Sequence, residues 1–373
     1  MRLAIALFVA AMTGGFVRIG SAQQQPLRQI SSIPTCSRCR IVLESQALLR
    51  LPSESLSFAY GSQFFRAPNG SFLTWGLSET PSAALFDSSG TFVRVLSRVG
   101  TGPGEVGYVN PVVLGLGDSV WVLDEGRRHV YTPDVRYVRT ERARGVSDLV
   151  VGPNATIVVS SRIATPDRAG FPLHVLDRDG EPVHSFGTAD PTIDPRRLAA
   201  LNDNPSASQL RFLTPGEAGT FWAWSITRFI LERYDFAGRL LTQGRHRMDG
   251  WYAPASERRP GRGEFTGLGP AFVQASRQPE IIWIVYHDRN ASFREPDEQT
   301  SRKLNPANPY DGMYDLVVEA VDAANLQVVA VQRFPKTAAA RVRNGPDLLA
   351  RYQSLDSVFV AYDVSRLRLL GSP

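Results

Sequence analysis

The 373-residue sequence contains little cysteine, little lysine and few long apolar runs. Its two cysteines, Cys36 and Cys39, cannot build a framework of several disulfides. Lysine occurs only at Lys303 and Lys336, so arginine carries almost all of the positive charge. Beyond residue 22 no apolar run is long enough to cross a bilayer, and we expect no transmembrane segment there.

The sequence also lacks the motifs of several enzyme classes. It contains no G-x-S-x-G, no H-E-x-x-H and no G-K-[ST], which excludes a nucleophile elbow, a helical zinc site and a P-loop. The formal net charge of +5 falls to +3 once Arg2 and Arg18 of the first 22 residues are removed. This weak imbalance does not indicate a nucleic-acid partner.

The first 22 residues have the pattern of a secretory signal peptide. Arg2 precedes an apolar stretch at residues 3–11, and Gly-Ser-Ala at residues 20–22 is a small-residue cleavage site. An uncleaved N-terminal anchor stays open as an alternative. We expect an exported protein, periplasmic or extracellular, in which Cys36 and Cys39 form a local disulfide. A redox pair, a metal site and unpaired thiols are the alternatives for these cysteines.

One cassette returns along the chain: turn-forming residues directly followed by a β-branched and aromatic run. Such a pattern marks the entry into a buried strand. The six copies are N-G-S-F-L-T-W (69–75), G-D-S-V-W-V-L (117–123), N-A-T-I-V-V-S (154–160), A-G-T-F-W-A-W (218–224), P-E-I-I-W-I-V (279–285) and L-D-S-V-F-V-A (355–361). Six copies predict an all-β fold, a six-bladed β-propeller of four-stranded antiparallel blades.

The ends of the chain are predicted to meet in the last blade. After strand patterns at residues 357–363 and 367–370 the C-terminal blade lacks a strand, whereas residues 40–49 form a strand pattern with no neighbour. We expect this N-terminal strand to pair in the C-terminal blade, which removes an exposed edge and closes the ring. Residues 40–371 then form one propeller domain after the signal peptide (1–22) and an N-terminal segment with C-x-x-C (23–39).

Tight turns of the D-x-x-G type are predicted to join the third and fourth strands of the blades. They begin at Asp87, Asp177, Asp235 and Asp322. Asp caps its own turn, and Gly or Asn accepts the positive φ of a tight hairpin. Calcium ligation by these aspartates is the alternative interpretation.

Three polar, proline-rich insertions are predicted at residues 188–208, 244–267 and 288–312. Two join the last strand of one blade to the next blade, and the third joins a second strand to a third strand. In a four-stranded meander both kinds of connection emerge on the same face, where loops on a rigid scaffold carry function. A seventh blade within residues 288–312 is the alternative.

The stretch S-R-V-G-T-G-P-G-E-V-G-Y, followed by V-W-V-L-D-E-G-R-R-H-V-Y, resembles the NHL-like six-bladed propellers of exported bacterial proteins. The matching residues are Gly100, Gly102, Pro103, Gly104, Glu105 and Asp124, and a degenerate copy occurs at residues 261–265. The resemblance implies the propeller fold and no single activity. The glycine-rich run itself is interpreted as a turn between blades.

The insertion face is the predicted site of ligand binding. Its candidate residues are Arg245, His246, Arg247, Trp251, Tyr252, Arg258, Arg259 and Tyr310. Arginine interleaved with aromatic residues suits anionic groups, sugars or a protein surface. We therefore favour a monomeric binding or scaffold protein, without a cofactor, whose insertion face binds a protein, peptide or glycan.

The alternative is a metal-dependent, lactonase-like hydrolase or lyase with calcium or zinc over the central channel. Asp124, His287 and Asp288 lie at the predicted ends of second strands, with His129 and His246 on nearby connections. Calcium binds six to eight oxygen ligands and zinc three or four tight ligands. The chain offers neither set with family-like spacing, so catalysis is not favoured.

Overall fold

The computed structural model describes residues 25–52, 58–77, 83–107, 109–124, 126–161, 163, 165, 167–189, 210–217, 219–225, 229–246, 272–276, 278, 280–292, 314–354 and 360–371. These residues form strands, turns and two 3₁₀ turns, Leu116–Asp118 and Pro153–Ala155. Among them, no helix has the length and apolar character needed to span a membrane. The expected all-β class is confirmed.

Most of the strands are short, and most of their pairings are antiparallel. Those of the first half of the chain are β1 (Arg28–Ile30), β2 (Arg40–Arg50), β3 (Phe58–Arg66), β4 (Phe72–Leu77), β5 (Ala84–Phe86), β6 (Phe92–Val95), β7 (Val109–Leu114), β8 (Val120–Asp124), β9 (Arg127–Tyr131), β10 (Tyr137–Arg142), β11 (Asp148–Val151), β12 (Ile157–Ser160), β13 (Leu173–Leu176) and β14 (Pro182–Phe186). Those of the second half are β15 (Phe212–Pro215), β16 (Thr220–Trp224), β17 (Ile230–Asp235), β18 (Leu240–His246), β19 (Phe272–Ala275), β20 (Ile281–Arg289), β21 (Tyr314–Asp322), β22 (Val328–Phe334), β23 (Ala339–Arg343), β24 (Leu348–Ser354) and β25 (Val360–Leu370).

The described strands form five hydrogen-bonded sheets, and four of these have the size of a propeller blade. Three are four-stranded meanders: β7 to β10, β11 to β14, and β19 to β22. A fourth contains β15 to β18 with β1 added in parallel to β18. The fifth has eight strands in the order β2-β25-β24-β23-β3-β4-β5-β6. Six separate sheets were expected, and the eight-stranded sheet is the reason that the described strands form five.

The predicted pairing of an N-terminal with a C-terminal strand is present. β2 runs antiparallel to β25, from Arg40 opposite Leu370 to Arg50 opposite Ala361. The details differ, because β25 is one continuous strand where two short strands were expected. Since β24 already stands between β23 and β25, the cassette at residues 355–361 leads into the third strand of this series and not the second. The other five cassettes do lead into the second strands β4, β8, β12, β16 and β20.

The expected aspartate turns are confirmed in the hairpins between third and fourth strands. Asp87 Oδ1 accepts the N–H groups of Ser89 and Thr91, each at 2.9 Å. Gly90, with φ of +94°, donates its N–H to the Asp87 carbonyl and lies against the backbone of Leu48, where a Cβ would meet a carbonyl oxygen at 2.7 Å. Asp177, Asp235 and Asp322 accept backbone N–H groups of their own turns in the same way. These carboxylates therefore serve the turns.

The glycine-rich run before β7 is also a turn, as predicted. Glu105 Oε2 accepts the Gly102 N–H at 2.9 Å, and a Cβ on Gly100 would lie only 2.0 Å from that oxygen. Arg127 donates to the carbonyls of Gly100 and Thr101 at 3.1 and 2.9 Å. The glycines of this motif thus make room for a glutamate side chain that folds back over them.

The apolar core lies between the faces of neighbouring sheets. Phe65 and Tyr131 belong to a cluster that joins β3–β5 to β7–β9. Other clusters join β7–β9 to β11 and β12, β11–β14 to β15–β17, and the β15–β18 sheet to the β19–β22 sheet and β24. The last, around Phe58 and Tyr362, joins β24 and β25 to β3–β5. Small twisted sheets packed face to face in this way form a propeller-like arrangement.

The N-terminal strap, residues 25–39, crosses the outer edges of two sheets before it enters β2. Its β1 pairs in parallel with residues 244–246 of β18. Farther along, the N–H groups of Thr35 and Cys36 donate to the carbonyls of Val328 and Val329 in β22. The predicted Cys36–Cys39 disulfide is present and stands directly before β2. Ile30 of the strap is 1% exposed, so the strap contributes to the core as well as to the sheet edges.

Candidate functional site: the central cavity

A cavity of about 400 Å³ lies where the first strands of four sheets meet, and we call it the central cavity. Its wall comes from β3, β7, β11, β15 and β23, mainly from the ends that lead into the cassette turns. Most of the lining residues are aliphatic residues or glycine. The charged and amide residues of the lining are Asp118, Arg341, Arg343 and Asn344. A mainly apolar cavity with a few convergent polar groups is the usual form of a small-molecule site.

Arg343 forms a balanced ion pair across this cavity. Its Nη1 and Nη2 donate to the two carboxylate oxygens of Asp148, each at 2.7 Å. Asp148 is fully buried and also accepts the N–H groups of Leu149 and Leu213, at 2.8 and 2.9 Å. The bidentate geometry is the strong form of an arginine–carboxylate contact. Each carboxylate oxygen of Asp148 therefore already accepts two hydrogen bonds.

Arg341, two residues earlier on β23, has no carboxylate partner among the described residues. Its Nη2 donates to the Leu213 carbonyl at 2.9 Å. Its Nε and Nη1 are shielded from solvent, and neither has a hydrogen-bond partner among the described residues. Burial lowers the pKa of Arg341 to about 9; the charge of Arg343 lowers it further, whereas Asp148 raises it. The cavity therefore contains a guanidinium group with two unsatisfied nitrogens.

An unsatisfied buried donor is costly, and an anion would satisfy it. Leaving such a group unpaired costs about 1–3 kcal/mol. The acid of the lining, Asp118, is exposed on its 3₁₀ turn. A carboxylate or phosphate oxygen placed beside Arg341 would accept from Nε and Nη1 and would neutralise the charge. The arrangement can hold an anion beside Arg341, and Asp148 is not free to act as a base, because Arg343 and two backbone N–H groups occupy its oxygens.

Most of the predicted ligand-binding residues cannot be compared with this cavity. Arg247, Trp251, Tyr252, Arg258, Arg259 and Tyr310 lie outside the described residues. The topology does fix where their segments attach: to the end of β18 and to the end of β20, opposite the strand ends that line most of the cavity. Binding of a protein, peptide or glycan on that face stays a prediction.

Arg245 and His246 are the last residues of β18 and not part of a loop. Arg245 is exposed, whereas His246 is 3% exposed and its Nε2 lies 2.7 Å from Glu319 Oε2. The Tyr286 hydroxyl donates to the other oxygen of Glu319 at 3.0 Å. His246 thus binds a carboxylate of the neighbouring sheet, and its ring is not on the surface where the sequence pattern placed it.

The residues of the metal alternative each have partners within the protein. Asp124 Oδ2 accepts the Gly107 N–H at 3.0 Å and also pairs with Arg127. His287 Nε2 accepts the Ala339 N–H at 3.0 Å, and Asp288 pairs with Arg333. In the described part of the chain, no three His, Cys, Asp or Glu side chains are grouped in a way that could hold a metal. These donor atoms do not form a common site.

The expected position of His129 on a connection is wrong. It lies in β9, fully buried, with Nδ1 2.9 Å from the Thr140 hydroxyl and Nε2 3.5 Å from Asp124. Its ring can be buried because Thr140 on the next strand satisfies one nitrogen. His174 and His184 lie on β13 and β14. His174 bonds Ser185 and the Ser161 carbonyl, so its ring has a structural role.

The sequence patterns did not single out Asp148, Arg341 or Arg343. In A-A-R-V-R the arginines alternate with Val342, which is fully buried, and such alternation normally indicates a solvent-facing side of a strand. Because β23 is a first strand, its polar side faces the central cavity instead. The pairing partner Asp148 is 195 residues away, so no local pattern could have found it.

Neither a protein-family model nor a curated protein matches the chain. Solved structures do resemble it. One is a candidate exported protein of Bacteroides fragilis, at 10% identity and a TM-score of 0.56, with 92% of this chain and 99% of that chain covered. Another is a member of the DUF4221 family from Bacteroides vulgatus, at 11% identity and a TM-score of 0.56, with 90% and 99% covered. At this identity the likeness shows the fold alone, a propeller-like arrangement of small sheets.

Proposed function

We propose that the protein is an exported β-propeller that binds a small anionic ligand in its central cavity. One observation carries this proposal: Arg341 presents two unsatisfied, solvent-shielded nitrogens beside an ion pair that is already complete. A carboxylate or a phosphate supplies the acceptor oxygens that Arg341 lacks. Because Asp148 is fully committed to Arg343 and to backbone N–H groups, binding is favoured over acid–base catalysis.

The proposed architecture is a closed ring of six blades. The eight-stranded sheet divides into two blade-sized halves, because β23 and β3 are joined by only two residue pairs, Val342 with Phe64 and Arg343 with Phe65. On this view β23, β24, β25 and β2 form the last blade, and both ends of the chain contribute to it. The succession of core clusters, which returns to β3–β5, supports closure. The NHL-like resemblance of residues 97–131 agrees with six blades.

The signal-peptide pattern of residues 1–22 supports export to the periplasm or beyond the cell. The similar B. fragilis protein, whose name calls it a candidate exported protein, is in line with this assignment. A disulfide between Cys36 and Cys39 suits an oxidising compartment.

The test of ligand binding is a calorimetric titration of the purified protein with small carboxylates, inorganic phosphate and matched uncharged amides. We expect at least one anion to bind and its amide not to bind. Hydrogen bonds to charged groups contribute about 1.5–3 kcal/mol, so Arg341→Met should weaken binding about 10- to 100-fold. Arg239→Met is the matched control, because Arg239 is an exposed turn residue that pairs with Asp235. Equal affinity in wild type and Arg341→Met would refute the proposal.

A second measurement separates a ligand site from a structural arginine. Without ligand, Arg341→Met removes two unsatisfied donors and also the bond to the Leu213 carbonyl, which contributes about 1 kcal/mol. Because each unsatisfied donor costs about 1–3 kcal/mol, the free energy of unfolding should still rise, by about 1–3 kcal/mol. A structural arginine would give the opposite sign. A loss of stability in Arg341→Met, with no anion bound by the wild type, would contradict the assignment even if the variant folds normally.

A further inference from the structure

The interface between the β7–β10 sheet and the β11–β14 sheet is packed less fully than the interface before it. Six described residues are buried in its cluster: Val113, Trp121, Leu123, Val130, Leu149 and Val159. The cluster between the eight-stranded sheet and the β7–β10 sheet contains thirteen. The difference leaves an open groove of about 550 Å³ between the two sheets. We call it the lateral groove.

The floor of the lateral groove is apolar. Leu123, Leu149 and Val159 are buried beneath it, and Ile157, Val175 and Leu176 are partly exposed along it. The strands below, β8, β9, β12 and β13, each pair on both sides within their own sheets. Their backbone N–H and C=O groups are therefore occupied. The floor offers apolar contact but no free sheet edge for a peptide strand, which needs one to bind by strand addition.

The rim of the groove has an excess of arginine. Its four members are Arg128, Arg142, Arg144 and Arg178. Two of them are held by acids: Arg128 pairs with Glu141 and stacks over the Trp121 ring at 4.2 Å, and Arg144 pairs with Glu181 at 2.7 Å.

The other two rim arginines are available. Arg142 and Arg178 are exposed and have no ion pair or side-chain hydrogen bond among the described residues. Of the two acids in the lining, Asp177 accepts the N–H groups of its own turn, and Asp179 is exposed beside Arg178. The charges of Arg142 and Arg178 are formally offset by Asp177 and Asp179, but these two arginines are the rim cations whose guanidinium N–H groups have no partner among the described residues.

We propose that the lateral groove binds an amphiphilic carboxylate with a linear hydrocarbon chain, a fatty acid. The hydrocarbon chain would lie on the apolar floor, and the carboxylate would bind at Arg142 or Arg178. The groove has the volume typical of small-molecule sites, which is about 300–1,000 Å³. This site is independent of Arg341 and of the anion proposed for the central cavity.

The test is a titration of the whole mature protein with octanoate, decanoate and dodecanoate below their micelle concentrations, with dodecanol as the uncharged control. Each buried methylene should raise the affinity about three- to fourfold until the groove is filled. Dodecanol should bind about tenfold more weakly than dodecanoate, since it lacks the charge that Arg142 and Arg178 would bind. The double variant R142Q/R178Q should lose this preference for the acid while it keeps its fold, because both side chains are exposed.

A groove-filling variant tests the location. Ile157→Trp should abolish dodecanoate binding, and Val183→Trp, on the exposed outer strand β14, should leave it unchanged. Arg341→Met should also leave it unchanged, which separates this inference from the central cavity. Equal affinity for dodecanol and dodecanoate, unchanged binding in both Ile157→Trp and R142Q/R178Q, or displacement of dodecanoate by an acidic peptide such as hexaglutamate would overturn the proposal.

Discussion

Replacing Asp148 should destabilise the protein more than replacing its partner Arg343, although the two side chains share one ion pair. The Asp148 side chain is fully buried and that of Arg343 is 10% exposed. Breaking a buried pair costs about 3–5 kcal/mol, because the remaining charge is left without compensation. What differs between the two variants is the environment of the charge that remains.

In Asp148→Asn, both Arg343 and Arg341 stay in the cavity with no carboxylate between them, and their like charges repel. In Arg343→Met, Asp148 keeps the N–H groups of Leu149 and Leu213 and stays near the positive charge of Arg341. We therefore expect losses of about 5 kcal/mol for Asp148→Asn and about 3 kcal/mol for Arg343→Met. The double variant should lose far less than the sum, because it removes both charges of the pair.

The assay is urea unfolding at pH 7, followed by the fluorescence of the six tryptophans, with all four members of the double-mutant cycle measured together. Arg368→Met is the control, because the Arg368–Glu44 pair is about half exposed and should contribute less than about 1 kcal/mol. A larger loss in Arg343→Met than in Asp148→Asn would refute the reasoning. So would additive effects in the double variant, because they would mean that the pair is not coupled across the cavity.

Three further predictions concern the strap and a buried histidine. Replacing Cys36 and Cys39 with serine should lower the free energy of unfolding by about 2 kcal/mol, which is the chain-entropy contribution of a short loop. Dithiothreitol should lower the free energy of unfolding of the wild type and leave that of the variant unchanged. Ile30→Ala should cost about 2–5 kcal/mol in the same urea assay, because Ile30 is 1% exposed, whereas Ile33→Ala, at an exposed position, should cost almost nothing. Burial lowers the pKa of His287 to about 4, below its ordinary value of 6.5, so its contribution to stability is complete above pH 6.5 and is lost as the pH falls toward 4. Stability measured between pH 7 and pH 4 should therefore fall less steeply in His287→Gln, which keeps an acceptor for the Ala339 N–H; an identical slope in the variant would contradict this assignment.

Local signals in the sequence were sufficient for the strands and turns, and insufficient for the buried polar groups. Five cassettes preceded second strands because a turn former and a β-branched run act over a few neighbouring residues. The cassette at residues 355–361 failed in its position because the turn N-G-P-D at residues 344–347 leads into β24 through L-L-A-R, which contains no β-branched or aromatic residue. His246 and Arg343 could not be placed, since their partners Glu319 and Asp148 lie 73 and 195 residues away. Pairing across sheets is a property of the assembled fold, and no spacing within one repeat encodes it.

The buried charges are the reason that we take Arg341 as the marker of the proposed anion site. Arg211 is 4% exposed and pairs with Glu232, which also accepts from Tyr234. Arg343 pairs with Asp148, so the two most buried arginines of the described residues, Arg211 and Arg343, each have a carboxylate partner. Buried polar groups in native proteins are satisfied as a rule, and an exception needs a reason. β23 pairs with β24 on one side and with β3 on the other, so these two strands hold the backbone of Arg341 in place without help from its side chain. If Arg341→Met makes the protein more stable and unable to bind any anion, ligand binding explains why the Arg341 nitrogens are unsatisfied. If the variant makes the protein less stable, Arg341 is a structural residue.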